Sequence, residues 1–338
     1  MRFPHNQTMK TTKPITRFGA IFTKYNLAPF LALAVLLLVS FLFSPDFRHP
    51  DNLLNICRQV SFSGIIALGM TLVIAGGGID LSVGSLLAFS GVLGIFAMNA
   101  CPASMPAGLA FLVMVVVTLG VGGLGGALNG ALINWGRIPP FIVTLGTFSI
   151  FRSLTVYFAD AGLVVATDPA RKAVLESVTR CWGKTVPIIL LFAFALLLFI
   201  VLRYTRFGMR LCATGANEKA AIFAAVHVRL VRFMSYVIVG VLSGVGSILL
   251  ASRLTSLSSP SAGNAYELDA IATVIIGGTP MTGGRASVWG TLAGIFILGI
   301  ISNILNLWSV SANLQGTIKG LIIILAVLFQ YKKGTVRS

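Results

Sequence analysis

Apolar residues run along this chain in long blocks, separated by short intervals rich in glycine, proline or charge. A helix rising about 1.5 Å per residue needs about 20 apolar residues to cross a hydrocarbon core about 30 Å thick. By that measure the pattern predicts ten spans, near 26–44, 58–76, 82–100, 107–133, 139–158, 186–203, 232–252, 267–278, 286–306 and 313–330, the eighth short and the fourth long. The expected fold class is therefore all-α, a polytopic transmembrane helical bundle. The pattern divides into an N-terminal cytoplasmic tail (1–25), a transmembrane domain (26–330) and a C-terminal cytoplasmic tail (331–338). The first span follows Arg2, Lys10, Lys13, Arg17 and Lys24, the charge layout of a signal peptide. Phe41, Leu42 and Phe43 stand where a cleavage site needs small residues, so the span is expected to stay in place.

Within this pattern one arrangement occurs twice. Thr71-Leu72-Val73-Ile74-Ala75-Gly76-Gly77 is similar to Thr273-Val274-Ile275-Ile276-Gly277-Gly278, and Gly94-Ile95-Phe96 to Gly294-Ile295-Phe296. In both places an apolar helix runs into a glycine-rich break and then a second helix. Internal repeats with broken helices are common in transporters. Chance similarity between two apolar segments fits the sequence equally well.

Composition and charge sharpen the picture. Of 338 residues 56% are hydrophobic and only 10% charged, too few to clothe a soluble fold of this size. The net charge of +16 would suit nucleic acid, but no basic stripe is interleaved with aromatics, so none is expected as a partner. Basic residues lie instead between the spans. Arg137, then Arg203, Arg206, Arg210, Lys219, Arg229 and Arg232 against a lone Glu218, and finally Lys332, Lys333 and Arg337 all fall on one side. That side is cytoplasmic by the positive-inside rule, with both termini, and the lipid bilayer is the first partner. Segments 45–57 and 159–185 fall outside, and Arg253 is an exception to the bias. Cys57, Cys101, Cys181 and Cys212 form no CxxC pair and lie at no metal-site spacing from His5, His49 or His227, so neither metal nor cofactor is expected.

Three stretches carry candidate chemistry. Residues 76–85 place Asp80, Ser82 and Ser85 beside Gly76, Gly77 and Gly78, at or near membrane depth, where an ionisable residue is costly. Asp80 or Ser82 can cap the third span, the commoner use of such residues, and a capped break can still shape a translocation path. Residues 266–285 place Glu267 and Asp269 in a helix's first turn and end it at Gly277, Gly278 and Pro280. Residues 205–221 hold Arg206, Gly208 and Arg210, then a turn at Gly215-Ala216-Asn217, then a short alanine-rich helix from Glu218; a solvated loop and a partner-docking surface are both open readings. Gly120, Gly122 and Gly125 fit GxGxxG but lie inside an apolar span, where small residues serve close packing instead. Gly183-Lys184-Thr185 ends like a phosphate loop, yet Val178 stands where its first glycine belongs. No catalytic residues are expected, and any ATP-driven role must use a separate ATPase.

Taken together, residues 64–71 (Gly-Ile-Ile-Ala-Leu-Gly-Met-Thr), 77–85 (Gly-Gly-Ile-Asp-Leu-Ser-Val-Gly-Ser), 139–147 (Pro-Pro-Phe-Ile-Val-Thr-Leu-Gly-Thr) and 266–271 (Tyr-Glu-Leu-Asp-Ala-Ile) resemble the permease subunits of bacterial sugar-uptake ABC transporters. These include the ribose, xylose, arabinose and galactofuranose permeases, with the autoinducer-2 permeases nearby. The resemblance covers nearly the whole chain. It implies a pore-forming subunit of an importer for a small neutral solute, a monosaccharide foremost. Its implied partners are a cytoplasmic ATP-binding subunit, a periplasmic or extracellular solute-binding protein, and a second permease copy or paralogue. It assigns the ATPase contact to the segment from Gly208 to Ala225. The family's usual Arg-Gly after the Pro-Pro-Phe motif is Arg152-Ser153 here. Three rivals stand beside this reading: an ion-coupled secondary transporter with Asp80 as the titrating acid, a membrane enzyme, and an ABC permease for a branched-chain amino acid or autoinducer-2.

Overall fold

The computed structural model describes residues 27–335. Among them are thirteen α-helices and one short two-stranded ribbon. The helices are α1 (Ala28–Phe43), α2 (Pro50–Ala75), α3 (Val83–Ala100), α4 (Ala107–Asn134), α5 (Pro140–Phe158), α6 (Pro169–Lys184), α7 (Val186–Tyr204), α8 (Arg206–Ala216), α9 (Glu218–Phe223), α10 (Val228–Leu254), α11 (Tyr266–Ile276), α12 (Val288–Leu307) and α13 (Ala312–Thr335). Each predicted span has a helix at its place. Seven, α2 to α5, α7, α10 and α12, are long and apolar enough to cross a membrane by length and composition. The predicted tail 1–25 lies outside the described residues, and α13 continues through 331–335, which the pattern assigned to the C-terminal tail.

Helix ends follow local chemistry. Proline stands in the first turn of α1, α2, α5 and α7, where its missing N–H costs no hydrogen bond. Eleven residues of α11 span about 16 Å, half the hydrocarbon thickness, so this helix by itself is too short to cross the bundle.

Burial sorts the helices into an inner and an outer set. The inner end of α2 is buried without interruption over residues 64–76, surrounded by α7, α10, α11 and α12. The outer helix α4 exposes Leu112, Val116, Leu124 and Leu128 along one face and buries Met114, Thr118, Gly122, Gly126, Asn129 and Gly130 along the other. The buried face is no more hydrophobic than the exposed one, so residue size marks the packed one. Gly122, Gly126 and Gly130 recur every fourth residue and meet the backbone of Phe233, Tyr236 and Gly240 on α10; a Cβ on Gly126 would collide with the Tyr236 carbonyl. The open neighbour Gly120 faces nothing within 4 Å.

Residues 159–185, read from sequence as a plain external segment, hold a strand and a helix. Strand β1 (Leu163–Val165) pairs antiparallel with β2 (Ser256–Ser258), Val164 opposite Leu257. Helix α6 is amphipathic and docks by Arg171, which is buried and donates to the carbonyls of Met98, Cys101 and Pro102 at 2.7, 3.0 and 2.8 Å. One guanidinium thus closes the C-terminal end of α3, where free carbonyls and the helix dipole favour a cation.

Candidate functional site: two helix breaks and a helical corner

Helices α2 and α11 end in the same way. Gly77 donates to the Ile74 carbonyl at 2.9 Å and Gly78 to Val73 at 3.0 Å; Gly278 donates to Ile275 at 2.8 Å and Thr279 to Val274 at 3.2 Å. Gly77 has φ +81° and Gly278 φ +87°. Both ends are Schellman motifs, whose left-handed residue strains any side chain but glycine's. The sequence likeness between 71–77 and 273–278 therefore marks a shared turn geometry. Its register sets Thr273 against Leu72, one residue from an alignment on the threonines, and Thr71 instead meets Thr291 hydroxyl to hydroxyl at 2.9 Å.

Beyond the first break Asp80 and Ser82 are wholly buried. One Asp80 carboxylate oxygen accepts from the Ser82 amide at 2.8 Å and from the Ser82 hydroxyl at 2.7 Å. The expected cap takes a different form here: neither side chain accepts from an amide inside α3, and Asp80 instead closes a turn onto the residue that precedes the helix. Asn129, reaching in from α4, donates to the Ser82 hydroxyl at 2.8 Å and to the other Asp80 oxygen at 3.4 Å. Tyr236 of α10 donates to the Ile79 carbonyl at 3.3 Å. Two helices, α4 and α10, thus hold the segment between the break and α3.

Glu267 is also buried, and one carboxylate oxygen has no hydrogen-bond partner among the described residues. It lies against Gly84, where a Cβ would collide with that oxygen and with the Gly263 carbonyl. The first turn of α3 and the entry to α11 therefore pack directly on each other. Arg152 of α5 braces this entry by donating to the Ser259 carbonyl at 3.1 Å. Asp269 is not part of this contact: it pairs with Lys319 of α13 at 2.9 Å. At the other end of α11, Gly277 packs on Gly290 of α12.

The segment from Arg206 to Glu218 forms a helical corner. The turn expected at Gly215-Ala216-Asn217 falls at Asn217 alone, because α8 runs on to Ala216. Thr205 caps α8 by accepting from Gly208, and Asn217 caps α9 by accepting from Ala220 at 3.0 Å. Arg206 and Arg210 are exposed, while Gly208 is buried where α8 turns back against α7. Glu218 pairs with Arg232 of α10 at 2.8 Å. A cavity of about 400 Å³ opens beside the corner, lined by Gly77, Gly78, Arg137, Glu218, Arg232 and Tyr236 among others.

Sequence reasoning missed Asn129, Arg232, Tyr236 and Lys319 as members of these contacts. Asn129 and Lys319 carried a signal, a strongly polar side chain within an apolar span. Arg232 read only as one more basic residue of a loop.

Interrupted helices that meet inside an apolar bundle, with a polar corner beyond them, define a multi-pass membrane transport protein. Residues 52–327 match the family described as the permease component of the branched-chain amino acid transport system, and the chain belongs to that family. It is 38% identical to the ribose import permease protein RbsC of Bacillus subtilis, covering 97% of this chain and 98% of that one. It is 38% identical to RbsC of Escherichia coli K12, over 90% and 92%, and 34% identical to the D-allose transport system permease protein AlsC of the same strain, over 92% of each. No solved structure gives a significant match. The chain is thus a transport component rather than an enzyme, and a multi-pass protein of the inner membrane.

Proposed function

We propose that this chain is the pore-forming permease subunit of an ATP-driven importer for a monosaccharide. Ribose is the first candidate, because two ribose permeases are 38% identical to it over 90% or more of its length, against 34% for an allose and 33% for an arabinose permease. The basic side is cytoplasmic, with both termini there. Asp80, Ser82, Glu267 and the glycines of the two breaks shape the path, and a solute-binding protein delivers the sugar from outside. A second copy or a paralogue completes the pore. Asp269 is set toward α13 and acts on the path only through α11.

The observation that carries the ATPase partner is the surface of the corner. Met209 is 59% exposed, Ile222 56% and Phe223 92%. These large apolar side chains stand on α8 and α9, beyond the spans, among the exposed cations Arg206, Arg210 and Lys219. An apolar anchor within a charged rim is the make-up of a protein-docking surface.

The test is a pull-down from detergent-solubilised membranes, followed by uptake of ribose, allose and arabinose in proteoliposomes holding the recovered complex. Recovery of a soluble ATPase, lost in Phe223→Asp and in a scramble of 206–225, supports docking. ATP-dependent uptake of a sugar in the panel supports the solute class. A branched-chain amino acid scoring where all three sugars fail would follow the family's description instead. Uptake driven by an ion gradient without any ATPase, and abolished by Asp80→Asn, would replace the importer with a secondary transporter.

A further inference from the structure

The first helix break, the turn that follows the second and the corner converge on one stretch of backbone, residues 75–77. The Ala75 carbonyl accepts from the Gly284 amide at 2.9 Å, which joins the turn after α11 to the end of α2. Gly215, in the last turn of α8, fits between them: a Cβ there would collide with the Ala75 carbonyl and lie 2.6 Å from the Gly284 nitrogen. The next carbonyl, that of Gly76, accepts from Arg232 Nε at 3.0 Å. The same guanidinium holds Glu218, the first residue of α9, through Nη1 at 2.8 Å. One side chain therefore bonds the corner and the first break at once, and the Ala75–Gly284 bond carries that link to the second.

Stability alone is a poor account of this arrangement. The Glu218 side chain is 49% exposed, and ion pairs so placed contribute little to folding. Direction is what the pair supplies. A guanidinium is a planar fork whose donors are fixed relative to one another, so its two partners cannot move independently without losing a bond. Both breaks are left-handed glycine turns, joints at which half-helices can pivot.

We infer that Arg232 is a positioning residue for translocation, which ties the displacement of α9 to the first helix break and, through Gly284, to the second. The corner, once moved, then shifts both breaks together. This rests on the reading of α8 and α9 as the ATPase-docking surface.

The test measures uptake and ATP hydrolysis in parallel, in proteoliposomes holding the permease with the ATP-binding and solute-binding subunits recovered with it, against the same sugar panel. Arg232→Lys keeps a cation for Glu218, but its single ammonium cannot reproduce the fork. Arg232→Ala removes both bonds. Glu218→Gln keeps the bond to Gly76 and weakens the pair. In both Arg232 variants, ATPase recovery and basal hydrolysis should match the wild type. Solute moved per ATP should fall about tenfold in Arg232→Lys and Arg232→Ala, and less in Glu218→Gln. Melting temperature in detergent separates coupling from folding, and Arg232→Lys should leave it unchanged. An unchanged ratio in both Arg232 variants overturns the inference, as does a parallel fall of hydrolysis and uptake. Failure of the wild-type permease to retain any ATPase overturns the docking reading as well, and is told apart by the first pull-down.

Discussion

Asn129 shows what one buried side chain does in this bundle. Its amide supplies donors to Ser82 and Asp80 that no water can replace at a fully buried position. Asn129→Leu should therefore destabilise the protein by about 2 kcal/mol, the cost of stranding a buried polar partner. Asn129→Asp, which sets a second carboxylate against Asp80, should cost more. Melting in a mild detergent reads both, and equal stability of the two variants would count against a close approach of position 129 to the Asp80 carboxyl. Arg171 acts at the same scale on the opposite side. Arg171→Ala leaves three carbonyls at the end of α3 without their cation, and should cost about 2–4 kcal/mol. Arg171→Lys should recover less than half, because one ammonium cannot span those acceptors. Asp80 and Ser82 were legible in sequence because they stand in a glycine-rich break. Asn129 was not tied to them, because nothing local says that the polar position of one helix faces the break of another.

Among the helices, contact is set by size rather than by hydrophobicity, since lipid tails are as apolar as leucine. The pair α4 and α10 crosses at backbone contact through Gly122, Gly126 and Gly240. Gly126→Leu should separate the helices and cost about 3 kcal/mol or more, at the upper end for overpacking. Gly120→Leu, one and a half turns away on the open face, should be nearly neutral. Thermal melting of the two variants side by side checks this, and a tie would show that α4 does not pack where the glycines place it. The turns that end α2 and α11 obey a second rule. Gly278→Ala puts a side chain at φ +87° and should cost about 1–2 kcal/mol even where space allows it. That both breaks use one hydrogen-bond pattern explains why the sequence repeats there. Helix α6 escaped the sequence reading for the converse reason: its polar face made a docked helix look like a loop.

At the scale of the whole molecule, the charge bias and the corner make one prediction together. Phe223→Asp should abolish ATPase recovery while leaving the melting temperature within about 1 °C, because a side chain 92% exposed contributes almost nothing to the fold. Loss of recovery with loss of folding would count against a docking role. What the sequence determined alone was the membrane as solvent, the order and rough length of the spans, and the two breaks. Those follow from apolar run length and from glycine, which act within about twenty residues of chain. Tertiary structure decided what the breaks touch. Asp80 meets Asn129, Glu267 meets Gly84, Asp269 turns away to Lys319, and Arg232 joins Glu218 to Gly76. Each of these contacts joins separate elements of the chain, and most cross between two helices. An apolar helix can rotate about its axis at little cost in lipid, so only the packing of small residues against a neighbour's backbone selects the face that carries its polar groups inward.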